Sequence, residues 1–334
     1  MGLCYAIGTL LRPFQSRSLT ISKETTLLTE PLKSDGRQVD YFMAIRQAVC
    51  PENVATDENG YRLLVRRLGR DSESEPAYFA RVCEQLGLDA DALQPDMPYE
   101  DPETFLEAYV KSHEFDERLL DALPPQQRSK EELANVLGTR LWRPWTYDEL
   151  PMMARWLEDN SPALDLLGQA VRKPAFHIPW VREDEQEPVA MSLCGYPFIF
   201  MRSLASGAAA RARFRIAQGD IDRAIDDIMA CKRLGRRTGR GPVILDLLVG
   251  MGIEGIADAV GIAGSLAHRP TKRQIQRLLD ELETLPPAPN VNDTVSVERL
   301  CALDGLQWYA HNALPWKEEP LVSNTLLACL TALG

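Results

Sequence analysis

Along most of this chain apolar residues recur every three or four positions, and alternation at every second position is scarce. The first spacing lines one face of an α-helix, whereas the second lines one face of a strand. The pattern is cleanest between residues 190 and 285. A long helix is expected from Pro197 to Gln218, broken by Gly219-Asp220. Asp220 is placed to cap a helix from Ile221 to Arg237, whose Ile221, Ala224, Ile225, Ile228, Met229 and Leu234 share a face. Gly239-Arg240-Gly241-Pro242 precedes a helix over about 243–267, and Thr271 caps another from Lys272 to Leu285, closed by Pro286-Pro287.

Upstream, the same spacing predicts shorter helices. One follows Ser34-Asp35-Gly36 and carries Val39, Phe42, Met43 and Ala44; one follows Asn59-Gly60 and stops at Gly69; one opens with Pro76. Another runs from about Pro102 to Leu123, and Ser129 with Glu132 has capping-box spacing for the next. Trp156 shares a face with Leu150, Met153 and Leu157, and Asn160-Ser161-Pro162 reads as a break before a helix from Ala163 to Val171. Thr20 to Leu32 reads as extended, and helices over about 294–313 and 321–332 finish the chain. Roughly a dozen helices with short connections imply an all-α fold of antiparallel helical hairpins. The pair Arg202–Gln218 and Ile221–Arg237 resembles a tetratricopeptide (TPR) unit, with Ala210 and Ala224 where the helices cross, although no 34-residue period recurs elsewhere. The organisation expected is a tail over 1–25, a helical part over 26–172, a proline-bearing loop over 173–190 and a second helical part over 191–334.

Composition narrows the partners more than the chemistry. At 334 residues, 45% hydrophobic and 25% charged, the chain has the make-up of a globular protein. A net charge of −11 disfavours nucleic acid and anionic lipid. That charge is uneven: residues 71–134 hold seventeen acids against five bases, and residues 202–240 hold ten bases against four acids. Lys232, Arg233, Arg236, Arg237 and Arg240 gather at one helix end, as candidates for an anionic partner or for ion pairing within the molecule. Seven scattered cysteines offer no CxxC pair.

Two motif-like strings fail on context. Gly250-Met251-Gly252-Ile253-Glu254-Gly255 has the spacing of a dinucleotide-binding turn, yet no alternating strand–helix pattern surrounds it. On a helical wheel Asp246, Gly250, Glu254, Asp258, Gly261 and Gly264 share an arc of about 120°. The reading is an amphipathic helix whose glycines permit close contact, with Asp246, Glu254 and Asp258 as a carboxylate stripe that could hold a cation or act as bases. Those acids also argue against a membrane span there. His113-Glu114-Phe115-Asp116-Glu117 lacks the second His of H-E-x-x-H, and the four histidines lie far apart. No cofactor and no metal site are expected.

Several segments together carry a resemblance: Leu28-Thr29-Glu30-Pro31-Leu32 with Asp35-Gly36 and Val39-Asp40-Tyr41; Pro51-Glu52-Asn53; and Trp156-Leu157-Glu158-Asp159-Asn160 with Ala163-Leu164. The stretch Arg211 to Pro287 carries it furthest, through Leu234-Gly235-Arg236, Gly241-Pro242 and Gly252-Ile253-Glu254-Gly255-Ile256-Ala257. Over roughly residues 20–310 the chain resembles a large family of uncharacterised bacterial α-helical proteins. The resemblance brings no reaction. It implies an export or anchoring segment at the start, of which apolar Gly2 to Leu11 would be a remnant, and a longer C-terminus.

The functional expectation is a non-enzymatic scaffold that holds a peptide or partner helix in a groove between helix pairs. The alternatives are a helical enzyme or cation binder using the carboxylate stripe, and an envelope-anchored structural protein. A cytoplasmic location follows from the sequence itself, and an exported or anchored one from the resemblance.

Overall fold

A computed structural model describes residues 21–51, 54–70, 74–112, 130–182, 188–189, 196–267 and 269–312. Among these the protein is all-α, with eleven helices and no strand. In chain order the helices are α1 Tyr41–Val49, α2 Gly60–Leu68, α3 Pro76–Gln85, α4 Pro102–Lys111, α5 Lys130–Arg140, α6 Pro151–Ala170, α7 Tyr196–Ala217, α8 Ile221–Thr238, α9 Ile244–Ala267, α10 Lys272–Glu283 and α11 Val291–Asn312.

Contacts group the chain into two compact units. The first draws on described residues within Met1–Cys50, Trp180–Cys194 and Asn292–Gly334, and so contains α1 and nearly all of α11. Here Gln307 of α11 stands in for a paired backbone. Its Oε1 accepts from the Val39 N–H at 2.9 Å and its Nε2 donates to the Val39 carbonyl at 2.9 Å. Asp304, fully buried one turn earlier, accepts from the Val189 N–H at 2.7 Å. The Tyr41 hydroxyl donates to the Thr26 carbonyl at 2.8 Å, and the Arg182 guanidinium lies 4.8 Å from the Phe42 ring centre.

The second unit holds α2 to α10. Its centre is the trio α7, α8 and α9. A Schellman turn reverses the chain after α7: Gly219, at φ +77°, donates to the Ile216 carbonyl and Asp220 to the Arg215 carbonyl, both at 2.9 Å. The Asp220 side chain then caps α8. Residue pairs run in opposite order across this hairpin, with Arg211 and Arg215 against Asp227 and Cys231 near Ala205. They do so again from α8 to α9, where Arg236 meets Glu254 and Lys232 meets Asp258. The antiparallel order leaves α7 and α9 side by side in the same direction.

Three expectations need correction. Thr20 to Leu32 is not extended where described: Ser22 organises a turn by accepting from the Thr25 and Thr26 N–H groups, and Leu32 forms only an isolated bridge with Val39. Pro162 does not end a helix, because α6 runs through it. Proline removes the backbone donor to the Glu158 carbonyl, and in the turn before it two side chains bond back to carbonyls of their own helix. Asn160 Nδ2 donates to the Trp156 carbonyl at 2.9 Å and Ser161 Oγ to the Leu157 carbonyl at 2.6 Å. The helix from Pro102 stops at Lys111, with Ser112 closing it. The Ser129 cap, His113 to Glu117 and the helix over 321–332 lie outside the described residues.

Within α9, Ile244–Ser265 is long and apolar enough to cross a membrane, with a mean hydropathy of 1.5 and 33% of that window buried. Glu254 and Asp258 within it pair with Arg236 and Lys232 of α8 rather than facing a uniform apolar surrounding.

Candidate functional site

The basic cluster and the carboxylate stripe meet each other. Lys232 Nζ lies 2.6 Å from Asp258, and Arg236 Nε donates to Glu254 at 2.8 Å. Asp246 is buried in a different role. Its Oδ2 accepts from the Val243 N–H at 2.9 Å, at the start of its own helix, and a Cβ on Gly241 would collide with its carboxyl group. The three acids therefore do not converge. Among the described residues no group of three or more His, Cys, Asp or Glu side chains is gathered as metal ligands would be.

The remaining cations of the cluster close helix ends. Arg233 donates to Glu281 at 2.5 Å and to Thr284 Oγ1 at 2.9 Å, and the hydrogen bond from Arg233 holds the Glu281 carboxyl below its usual range. Arg237 donates to the Lys173 and Pro174 carbonyls at 2.7 and 3.1 Å, and Arg172 donates to the Gly168 carbonyl at 2.9 Å. These acceptors lie in or just after the last turns of α6 and α10. Cations are the expected complement to the negative ends of helix dipoles. Arg240 is exposed.

The opposite side of the trio is different in character. A groove of about 620 Å³ runs between α7 and α9, within the size range of ligand sites. From α7 come Ile199, Arg202, Ser206, Ala209 and Arg213, spaced by three or four residues so that all lie on one face. From α9 come Leu245, Leu248, Gly252, Ile253 and Ile256, again one face. Pro102 and Glu103 at the start of α4, with Leu141 and Trp142 just after α5, wall one side. Serine, alanine and glycine set the depth of the groove, since larger side chains at those positions would fill it. Gly252 has no atom within 4 Å of where a Cβ would stand. Two of the lining residues are well exposed, Leu248 at 56% and Trp142 at 60%, and beside Leu248 on α9 Met251 and Ile262 are 58% and 63% exposed.

One cation enters this apolar space. Arg211 and Arg215, four residues apart, face inward and share Asp227, each at 2.7 Å, while Arg211 also reaches Asp165 at 2.8 Å. Burial works against the charge on Arg211, but Asp227 and Asp165 outweigh it and hold the guanidinium above its ordinary value. Arg213 lies between them in sequence and so points about 200° away from each, into the groove. It is only 4% exposed. Its Nε and Nη2 are buried without a hydrogen-bond partner, and its guanidinium lies 5.7 Å from the centre of the Trp142 ring. No carboxylate among the described residues is within ion-pairing distance of it. Burial pushes its pKa down to about 10, so it remains a cation at neutral pH. Sequence reading counted Arg213 within the basic stretch but did not single it out.

A scan against protein-family models, a search of curated proteins and a search of solved structures each returned no match to this chain.

Proposed function

We propose that this chain is a non-enzymatic interaction protein, and that the groove between α7 and α9 receives an amphipathic helix of another protein. The observation that carries this reading is the exposed apolar row of α9, continuous with the groove and longer than it. Leu248 lines the groove, and Met251 and Ile262 lie within about 60° of it around the helix, Ile262 about 21 Å further along. A small ligand filling the groove would leave that row in water, whereas a helix laid along it would cover both. Methionine at such a surface suits a side chain that must repack around a partner. In this reading α7 and α8 act as a TPR-like pair.

The test is selection of a displayed library of randomised amphipathic helices on the full chain. Helices should be enriched whose binding disappears with Gly252→Leu, which fills the groove at an open position without lowering thermal stability. Enriched helices that bind the wild type and Gly252→Leu alike would overturn the reading.

A further inference from the structure

We infer that the partner helix presents a carboxylate side chain from its apolar face, which enters the groove and pairs with Arg213. This inference rests on the proposed helix-binding function and adds the chemistry of the partner.

The argument starts from α7, which carries Arg202, Arg211, Arg213 and Arg215 and no acid within Tyr196–Ala217. Asp227 and Asp165 satisfy Arg211 and Arg215 from neighbouring helices. Arg213 has the Trp142 ring in place of an acid. An aromatic face attracts a cation but accepts no strong hydrogen bond, so Nε and Nη2 stay unmet. A buried cation without a partner is costly, and its pairing with an incoming anion removes that cost. Nε and one Nη present two parallel N–H groups, the fork that a carboxylate accepts in bidentate fashion. Arg202, exposed at the same groove, adds a second positive charge on a molecule whose net charge is −11. Glu103 on the groove wall makes no ion pair with either arginine.

The surrounding surface decides which anion. The groove floor is Leu, Ile, Ala and Gly, so the acid must arrive on an apolar body. On an amphipathic helix this is one Asp or Glu flanked at three- and four-residue spacing by large apolar side chains.

The test sequences the helices selected on the full chain and measures their affinity by fluorescence anisotropy. Enriched helices should share one Asp or Glu within the apolar face. Replacing that Glu by Gln in the peptide should weaken binding roughly 10- to 100-fold, the range for a charged hydrogen-bonded pair. The same replacement should cost less than about 3-fold on Arg213→Gln, since the partner is already gone. The peptide substitution on the unaltered protein carries the test if Arg213→Gln does not fold. Enriched helices without an acid preference, blocked nonetheless by Gly252→Leu, would overturn this inference and leave the helix-binding reading standing. If no helix is enriched, both fall. Arg213-dependent binding of dodecanoate would then assign the groove to a small acid, and sedimentation as a dimer sensitive to Leu248→Asp would assign it to a second copy.

Discussion

At the scale of single residues, the buried polar groups of the second unit divide into those that are satisfied and those that are not. Asn59 is satisfied at every position. Its Oδ1 accepts from the Tyr61 and His177 N–H groups, and its Nδ2 donates to the Val54 and His177 carbonyls. That clamp fixes the segment after α6 against the start of α2 and keeps the His177 ring partly out of water. Burial lowers the His177 pKa from 6.5 to about 4, so the folded protein holds the ring neutral where an unfolded chain would protonate it. Between pH 6.5 and 4 the unfolded state therefore binds more protons, and stability must fall as pH falls through that window. Denaturant unfolding should show a loss of about 3 kcal/mol from this group between pH 7 and 4. His177→Gln should flatten that part of the pH profile, and an unchanged slope would contradict the assignment. Arg213 is the opposite case. Its neighbours in sequence carry the same charge, and no local spacing distinguishes the arginine that lacks an acid. The separation depends on Asp165 and Asp227, contributed by α6 and α8.

At the scale of elements, periodicity located the described helices from α7 onward to within a few residues, because their caps and glycine breaks are written locally. Asp220 before α8, the Thr271–Gln274 capping box of α10 and Gly219 between α7 and α8 are of this kind. Pro162 lies inside α6 because the helix buries residues on both sides of it, from Met153 and Trp156 to Leu167 and Ala170, and that packing is not written in the local proline signal. The glycine string of α9 shows the same limit. Gly250 packs against α8, where a Cβ would stand 2.5 Å from the Gly235 carbonyl oxygen and the Gly239 Cα. A Cβ on Gly264 would meet only the Ile216 side-chain end of α7, at 2.8 Å, whereas Gly252, Gly255 and Gly261 have open space. Gly250→Ala should thus destabilise by about 1–3 kcal/mol through overpacking of the α8–α9 crossing. Gly252→Ala should stabilise by up to about 1 kcal/mol through helix propensity alone. Equal effects of the two substitutions in thermal unfolding would show that α8 and α9 do not cross at Gly250. Helix α10 departs from the usual logic of burial. It is strongly amphipathic, yet Ile275 and Leu279 are 46% and 49% exposed, and Arg277 and Glu281 hold it to α8 through Asp226 and Arg233.

At the scale of the whole molecule, the helical class was legible from spacing, and the groove was not. Its two walls are separated in sequence by all of α8, and its depth depends on Ser206, Ala209 and Gly252 coming opposite one another. Most of the charged residues that stood out in the sequence are engaged within the molecule: Lys232 and Arg236 meet Asp258 and Glu254 across α8 and α9, Arg233 and Arg237 reach Glu281 and the Lys173 carbonyl, and Asp246 caps its own helix. The surface that remains unsatisfied is the quieter one, apolar with a single buried cation. Hydrogen exchange on the full chain, with and without a saturating selected helix, tests this most directly. The expected result is slowed exchange over residues 198–213 of α7 and 245–256 of α9, with the α8–α10 contact unaffected. Protection confined to α10 or to the first unit, with those two stretches unchanged, would contradict the account.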